Sequence, residues 1–255
     1  IIMDKINVRD KNNLSMLVDF YELTMSNGYF ENGFGDAVVY CDMFFRKNPD
    51  KASFSITAGL QQFIEYVNTL TFTKEDIEYL RGQNIFDEKF LDYLLNFKFT
   101  GDIYAIPEGT VVFPNEPLVT VKAKIIEAQF IETMLLLYIN HQSLIATKAN
   151  RVVRAAAGRT VMDLGARRAQ GAEAAILGAR AAIIGGVDAT ATTITGKEFN
   201  VPVVGTMAHS WIQFFGDEYE AFAMYAKTYP DNCMLLVDTY NVLKSGIPNA
   251  IRVAK

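Results

Sequence analysis

The sequence predicts an α/β protein: an N-terminal α+β domain over residues 1–150, then the first half of an irregular, TIM-like (β/α) barrel over residues 151–255. Three observations predict this class. Helical periods mix with β-favouring pieces in the first part, short apolar strands alternate with Ala-rich helical stretches in the second, and those strands end in polar, regularly spaced residues. Four βα units are visible, so we expect a truncated barrel whose further units lie beyond Lys255.

The elements of the first domain are predicted from period and composition. Apolar residues from Leu14 to Met25 recur at helical spacing, with Asn12 or Asn13 as the cap. A β-branched and aromatic run at 37–45 predicts a strand. Three further segments have helical periods: 59–70, 74–83 and 88–97.

A small β layer and a long helix complete this domain. The β-favouring pieces of 101–123 are broken by Pro-containing turns, which suits short antiparallel strands. The segment from 125 to about 157 has a helical period, with an interruption predicted near His141. We expect this helix to connect the two domains.

The second domain is predicted from repeated strands and helices. Its predicted strands are 160–164, 182–187, 201–206 and 233–238. One polar residue at or after the end of each strand serves as a marker: Asp163, Asp188, His209 and Asp238. The intervals between these markers are 25, 21 and 29 residues, which is about the length that a strand, a helix and two loops require. An open doubly wound sheet could begin in the same way, so that alternative stays open. In a barrel, the polar residues after the strands form the active site.

Two strand ends carry residues suited to binding or chemistry. Arg167 and Arg168 present planar guanidinium donors that match a carboxylate or a phosphate, although adjacent arginines are as often a solvated surface pair. Near His209, Gly205 and small residues leave the loop free to bring backbone N–H groups toward a ligand. A lone histidine is more often a packed side chain, but its place after a strand favours a role as acid, base or nucleophile.

Aspartates follow two other strands. Asp238 could accept the proton of one His209 nitrogen and leave the other nucleophilic, or it could cap the following helix. Asp188 could contact a ligand or cap a helix in the same way. The cysteine and histidine spacing does not suit zinc, whereas Mg²⁺ brought by phosphates could be held by one or two carboxylates such as Asp238.

Composition argues against some classes of protein. The 24 basic and 29 acidic side chains give a net charge of −5, which is unlike a protein that binds nucleic acid through a broad basic surface. No apolar run approaches the length of a membrane span. Cys41 and Cys233 lie in apolar runs and are predicted to be buried free thiols, which favours the cytoplasm.

Eight motifs together resemble nicotinate phosphoribosyltransferase. They follow the family's order from about Asp19 to the end of the chain: DFYELTMSNGYF, FFRKNP, EGTVVFPNEPLVTV, ETMLLLYINHQSLIATKANRV, DLGARRAQG, GGVDAT, GTMAHS and DTYN. The combination of DLGxRRAQG with GTxAHS is the specific part of this resemblance.

The resemblance implies a cytoplasmic enzyme of NAD synthesis. It would form nicotinate mononucleotide and diphosphate from nicotinate and phosphoribosyl diphosphate, with coupled ATP hydrolysis. ATP would phosphorylate His209, and neutral imidazole is a competent phosphoryl acceptor. Arg167 and Ser210 would lie near the nicotinate and the 5′-phosphate, and Asp188 would orient the base. Asp238 would face the ribose hydroxyls, Mg²⁺ or His209.

The resemblance also implies a homodimer with a shared active site. Tyr21 would stack on the pyridine ring bound by the neighbouring subunit, although the helical pattern alone favours a core residue there. Arg46 would contribute to the diphosphate or ATP phosphates, and Gly205 would let the backbone approach the ligand. Leu164 stands where relatives often carry an aromatic that stacks on the base. The family's later 5′-phosphate loop is not in these residues, so we expect an incomplete site.

Two alternatives stay open. A nicotinamide or quinolinate phosphoribosyltransferase would differ in the group presented to Arg167 and Asp188, and the arginine pair favours a base that carries a carboxylate. A non-catalytic relative that senses a nucleotide would have no evident need for both His209 and Asp238.

Overall fold

A computed structural model describes residues 13–255 of the chain. The chain forms two compact units, of which the first ends at Val201 and the second is Pro202–Lys255. The domain boundary predicted after residue 150 falls inside the long helix Glu132–Ala156 and stays a prediction.

The first unit combines helices with short strands. Its helices are α1 (Phe20–Glu31), α2 (Leu60–Thr69), α3 (Lys74–Arg81), α4 (Glu88–Leu95), α5 (Ile125–Phe130), α6 (Glu132–Ala156), α7 (Ala172–Ile184) and α8 (Thr193–Phe199). Its strands are β1 (Val38–Met43), β2 (Ser55–Ile56), β3 (Asp102–Ala105), β4 (Val111–Val112), β5 (Val119–Lys124), β6 (Met162–Asp163) and β7 (Ala189–Thr190). The α/β class predicted from the sequence is confirmed.

The antiparallel layer is also confirmed. β5 lies between β1 and β3, and both pairs are antiparallel, with Val38 opposite Lys124 and Asp102 opposite Lys122. Alternate side chains of β5 are buried, as the two-residue repeat of a strand requires, and face the core. A second antiparallel pair joins β2 to β4.

A large apolar core holds this layer against the helices. Phe72, Phe97 and Phe130 meet there with ring centroids 5.3 to 5.8 Å apart, in edge-to-face geometry. Phe63 of α2 and Phe90 of α4 are fully buried in the same core. Burial of such rings supplies much of the hydrophobic stabilisation of a domain.

Two predictions about helices are wrong in position. Helix α1 begins at Phe20, not near residue 14, because Asn13 forms a local turn in which its Oδ1 accepts from the Ser15 N–H at 2.9 Å. The other suggested cap, Asn12, lies outside the described residues. No interruption occurs at His141; the break lies at Ile131, between α5 and α6. The polar residues after His141 bond across to other elements, so they do not disturb the helix.

The predicted βα repeat is only partly formed as strands. β6 and β7 pair in parallel, with Met162 opposite Ala189, as a βα unit requires. Residues 182–184 extend α7, and Gly185 and Gly186 then end the helix, so the strand predicted at 182–187 is wrong in position. The stretches 201–206 and 233–238 are not strands, apart from one bridge residue at Val203.

The second unit is mainly helical. Its elements are α9 (His209–Phe215), α10 (Glu218–Thr228), a π-helix (Val242–Gly246) and α11 (Ile247–Ala254). Its small core contains Met207, Ile212, Ala221 and Phe222. The indole N–H of Trp211 donates to the Ala221 carbonyl at 3.0 Å and so links α9 to α10.

Both cysteines are free, as predicted, but both are exposed, so their predicted burial is wrong. Cys41 lies on β1, an edge strand covered on one side only, and Cys233 lies in a segment without regular structure. An apolar run therefore did not guarantee a covered position. Across the helices of residues 13–255, none combines the length and apolar character needed to cross a membrane.

Candidate functional site

Asp163, at the end of β6, organises the turn that carries the arginine pair. Its Oδ1 accepts from the Gly165 N–H at 3.0 Å, and its Oδ2 accepts from the Thr190 hydroxyl of β7 at 2.8 Å. A 3-10 turn then exposes Arg167 and Arg168. The guanidinium donors are thus accessible to an anion, while the carboxylate that shapes the turn is held in place. Strand-end spacing marks Asp163 in the sequence but does not predict this role in shaping the turn.

A cavity of about 1260 Å³ adjoins this turn within the first unit. Asp163 and Arg168 contribute polar atoms to its wall, and α6 contributes His141. The His141 Nε2 lies 3.3 Å from the Ala174 carbonyl oxygen of α7. Apolar residues such as Met134 complete the wall, so the cavity offers a mixed surface to a small anionic molecule.

Asp188 joins β7 to β6. Its Oδ2 accepts from the Val161 N–H at 2.8 Å, and its own N–H donates to the Val161 carbonyl at 2.9 Å. The N-cap of the next helix is Thr192, so Asp188 does not cap α8. The side chain is exposed, which leaves its carboxylate accessible to a ligand.

His209 is the first residue of α9 and has two side-chain neighbours in the second unit. Its Nδ1 lies 3.2 Å from the Thr239 Oγ1, and its Nε2 lies 4.0 Å from the Asp238 Oδ1. The second distance is too long for a hydrogen bond, so the direct contact is made by Thr239. Thr239 was not among the predicted site residues, although it stands next to Asp238 in the DTYN motif.

Two other predicted site residues flank His209. Ser210 follows it in α9 and has an exposed side chain. Gly205 lies in the preceding loop, and a Cβ added there would have nothing within 4 Å. The loop backbone at Gly205 is therefore open, as close approach by a ligand would require.

Tyr21 is exposed rather than part of the core. Its hydroxyl donates to the Glu132 Oε1 at 3.2 Å, and the Glu132 Oε2 accepts from the Gln129 amide at 2.8 Å. Desolvation of the hydroxyl and the negative charge of Glu132 raise the pKa of Tyr21 to about 12. The hydrogen bond to Glu132 fixes the position of the Tyr21 side chain, although the residue remains 45% exposed.

The remaining predicted residues are also on the surface. Arg46 is exposed in the loop after β1, and Leu164 is 56% exposed just before the arginine turn. Over residues 13–255, no group of three or more histidine, cysteine, aspartate or glutamate side chains is arranged to hold a metal ion. Asp238 is an isolated but accessible carboxylate, with 58% of its side chain exposed.

The fold and these residues define an α/β protein whose first unit presents an arginine turn suited to a carboxylate or phosphate. Comparison with known proteins identifies the family. Residues 16–140 match the nicotinate phosphoribosyltransferase (NAPRTase) N-terminal domain. A nicotinate phosphoribosyltransferase of Mycobacterium tuberculosis is 44% identical over 94% of this chain and 51% of its own length. One from Bacillus subtilis is 45% identical over 95% of this chain and 49% of its own.

Solved structures agree. The crystal structure of human nicotinic acid phosphoribosyltransferase is 28% identical, with a TM-score of 0.82 over 93% of this chain and 57% of that one. A nicotinate-nucleotide pyrophosphorylase from Pyrococcus furiosus, 23% identical, shares the fold with a TM-score of 0.74 over 100% of this chain and 57% of that one. The chain belongs to the nicotinate phosphoribosyltransferase family, and it spans about half the length of the curated relatives above.

Proposed function

We propose that the whole protein is a nicotinate phosphoribosyltransferase of NAD synthesis, which forms nicotinate mononucleotide and diphosphate from nicotinate and phosphoribosyl diphosphate. The observation that carries this proposal is the exposed turn of Arg167 and Arg168, held by Asp163, in a chain of this family. A guanidinium pairs with the carboxylate of nicotinate through two parallel hydrogen bonds, which nicotinamide could not form.

The ribosyl transfer depends mainly on positioning. The bond from C1 of the ribose to diphosphate breaks as the pyridine nitrogen approaches, and positive charge builds on the ribosyl centre. We assign Arg167 to the nicotinate carboxylate, Ser210 to the 5′-phosphate and Asp188 to orientation of the base. The open backbone at Gly205 would let ligand atoms approach N–H groups closely. Held in line, the reactants would need little covalent assistance.

We further propose that ATP phosphorylates His209 at Nε2. The Nδ1 atom has the Thr239 hydroxyl at 3.2 Å, whereas the Nε2 atom has no hydrogen bond in the described chain and is accessible. The Nε2 lone pair would form the bond to the γ-phosphorus as the bond to the ADP oxygen breaks. Hydrolysis of the phosphohistidine would then couple ATP to product formation.

Mg²⁺ is the metal that these residues fit. Asp238 offers one exposed carboxylate, and Mg²⁺ in phosphate-handling sites is usually held by one or two carboxylates together with substrate phosphates and water. When bound, the ion would neutralise charge on the diphosphate or on ATP. Asp238 itself would accept hydrogen bonds from ribose hydroxyls or face His209.

We also propose a cytoplasmic homodimer. Exposed apolar side chains of α1 and α6 make up what we call the α1/α6 face, defined by Tyr21, Met25 and Leu136. Covering such a face with a second copy would remove apolar surface from water and bring the Tyr21 ring to the partner. Arg46 would reach the phosphates from the same partner. Exposed free thiols at Cys41 and Cys233 suit a reducing compartment.

An assay of the whole protein tests the activity. Nicotinate, nicotinamide and quinolinate are each supplied with phosphoribosyl diphosphate, with and without ATP, and mononucleotide formation is measured. We expect product from nicotinate and stimulation by ATP. If only nicotinamide or only quinolinate gave product, that base would be the substrate and the proposal would be wrong. Binding of a base without turnover would indicate a sensing protein.

A variant tests the phosphoryl acceptor. We expect His209→Ala to lose incorporation of ³²P from γ-labelled ATP and to lose ATP stimulation, while Glu75→Gln, on the exposed face of α3, keeps both. Labelling that persists in His209→Ala would reject the phosphohistidine.

A further inference from the structure

Glu218 is a buried carboxylate that the proposed reaction does not use. It is the first residue of α10, and its side chain is only 5% exposed. Its Oε2 accepts from the Ser245 hydroxyl at 2.5 Å and from the Asn249 amide at 3.3 Å. Its Oε1 is buried without a hydrogen-bond partner among the described residues. Burying a carboxylate is costly unless its oxygens are hydrogen-bonded, and here only Oε2 has partners among the described residues.

The two acceptor contacts of Glu218 anchor the end of the chain to α10. Ser245 lies in the π-helix and Asn249 lies in α11, so one carboxylate ties two consecutive elements to a third. The π-helix also begins with a cap, in which the Asn241 Oδ1 accepts from the Lys244 N–H at 2.8 Å. The π-helix is therefore held at its start by the Asn241 cap and near its end by the hydrogen bond from Ser245 to Glu218.

The π-helix in turn packs on the segment that meets the imidazole. Gly246, its last residue, lies so close to Val237 that an added Cβ would overlap the Val237 carbonyl oxygen. Val237 immediately precedes Asp238 and Thr239, the two neighbours of His209. Residues 233–238 have no strand partner, and they are held by packing on the small core, by a hydrogen bond from the Thr206 hydroxyl to the Met234 carbonyl and by this contact with the π-helix.

We propose that Glu218 is a positioning residue for His209, acting through Ser245 and Asn249, the π-helix and Val237 to hold Asp238 and Thr239 against the imidazole. An effect of Glu218 on turnover rests on the proposed function of His209. The effect of Glu218 on the position of the imidazole does not depend on that function. Glu218 itself does not contact the imidazole in the structure, and every group in this chain of contacts belongs to the second unit.

The direct test is the NMR signature of His209 in the whole protein with ¹⁵N-labelled histidine. Signals lost in His209→Ala and in His141→Ala assign these two histidines within the spectrum of the whole protein, and His141 then provides the internal reference. We expect Glu218→Ala to shift the ring ¹⁵N signals of His209 toward the averaged values of a ring free to exchange tautomers, with His141 unchanged. Glu218→Gln keeps an oxygen acceptor for Ser245 and Asn249, so we expect it to restore most of the native signal.

A matched control and milder variants complete the experiment. Glu220 lies two residues further along α10 with an exposed side chain, so Glu220→Ala should leave the signals of His209 and His141 unchanged. If Glu218→Ala fails to fold, Ser245→Ala and Asn249→Ala each remove one contact, and each should move the His209 signals in the same direction. Unchanged His209 signals in folded Glu218→Ala, or in both milder variants, would overturn the proposal.

Kinetics separate this proposal from the proposed function. A misplacement near 1 Å can lower turnover on the order of a hundredfold, so we expect Glu218→Ala to reduce kcat strongly and the KM for nicotinate little. Glu218→Gln should recover most of kcat. Shifted His209 signals with an unchanged kcat would support the positioning role while rejecting catalysis by His209.

Discussion

Gly205 and Gly246 have different surroundings in the second unit, so the same substitution should have different effects. An added Cβ meets open space at Gly205 and overlaps the Val237 carbonyl at Gly246. We expect Gly246→Ala to lower the free energy of unfolding by about 1–3 kcal/mol, as overpacking does, and Gly205→Ala to leave it within about 0.5 kcal/mol. Denaturant titration of both variants measures this difference.

The activity of Gly205→Ala tests the ligand contact separately. If the loop backbone approaches a substrate, this stable variant should raise the KM for that substrate. A KM unchanged for nicotinate, phosphoribosyl diphosphate and ATP would remove Gly205 from the site, since the fold itself has room for the methyl group.

Glu22, the neighbour of Tyr21 in α1, should make stability depend on pH. It is fully buried, its Oε1 accepts from the Thr133 hydroxyl at 2.7 Å, and its Oε2 has no partner in the described chain. Burial raises the pKa of Glu22 from 4.5 to about 7, because the charged form is poorly solvated. The folded chain therefore keeps a proton that the unfolded chain loses, and the stability from this group falls as pH rises from about 4.5 to 7.

Replacement by a neutral isostere should remove this dependence. We expect Glu22→Gln to raise the Tm above about pH 7 and to flatten the fall in Tm between about pH 5 and pH 7. Thermal melts across this range measure the effect, with Glu75→Gln on the exposed face of α3 as the control. An equal fall in Tm for Glu22→Gln and the unchanged chain would contradict the buried, protonated carboxyl.

At the scale of elements, Arg180 and Glu108 join four segments of the first unit. The Arg180 guanidinium donates to both oxygens of Glu108, at 2.6 and 3.0 Å, and also to Gln61 and Gln142. Glu108 also accepts from the Gly59 N–H at the start of α2. Burial alone would raise the pKa of Glu108, but hydrogen bonds from Arg180 and Gly59 outweigh it and lower that pKa.

Breaking this pair should destabilise the first unit strongly. We expect Arg180→Met to cost about 3–5 kcal/mol, since it leaves Glu108 part-buried without its cation. The exposed Arg81, which pairs with Glu88 at 2.9 Å, is the control, and Arg81→Met should cost much less, because solvent screens an exposed pair. Denaturant unfolding at pH 7 compares the two. Equal costs would mean that burial adds nothing to the Arg180 pair.

Acid should weaken the same pair. Because the pKa of Glu108 is lowered in the folded chain, its contribution is present above the ordinary glutamate range and is lost as pH falls through the folded-state value. The difference in stability between Arg180→Met and the unchanged chain should therefore shrink in acid.

At the scale of the whole molecule, a charge placed on the α1/α6 face should weaken the proposed dimer. Met25 is 40% exposed on this face. We expect Met25→Lys to move the monomer–dimer midpoint to at least about tenfold higher protein concentration, and activity to fall with the dimer fraction. Sedimentation and activity measured over the same dilution series test both. Tyr79→Lys, at an exposed position of α3, is the control.

A monomer that retains activity would contradict the proposed cross-subunit role of Tyr21. An unchanged midpoint in Met25→Lys would instead place the contact between copies elsewhere on the surface.

The elements that sequence predicted well are those with a strong local signal. β1 was predicted from a β-branched and aromatic run, and α2 and α4 from apolar residues at helical spacing. The predicted strands at 201–206 and 233–238 are equally apolar but did not form. A strand requires a neighbouring backbone to complete its hydrogen bonds, and the composition of a segment does not reveal whether that neighbour is present.

Some residues of the candidate site were predictable from the sequence, and others were identified only in the structure. Strand-end spacing and residue chemistry selected Arg167, Asp188, His209 and Asp238, all of which have accessible side chains. It missed Thr239 as the nearest partner of the imidazole, because the choice between adjacent residues depends on how an irregular segment is oriented. It also missed Asp163, whose hydrogen bonds reach forward to Gly165 and across to Thr190.

The sequence by itself determined the α/β class, the main helices of the first unit and the family, since these follow from local periods and from short motifs in a given order. Tertiary structure alone decided that Glu108 meets Arg180 across 72 residues and that Glu218 bridges α10 to the π-helix and α11. Burial and pairing of a charge depend on groups distant along the chain, and only folding brings those groups within a few ångströms.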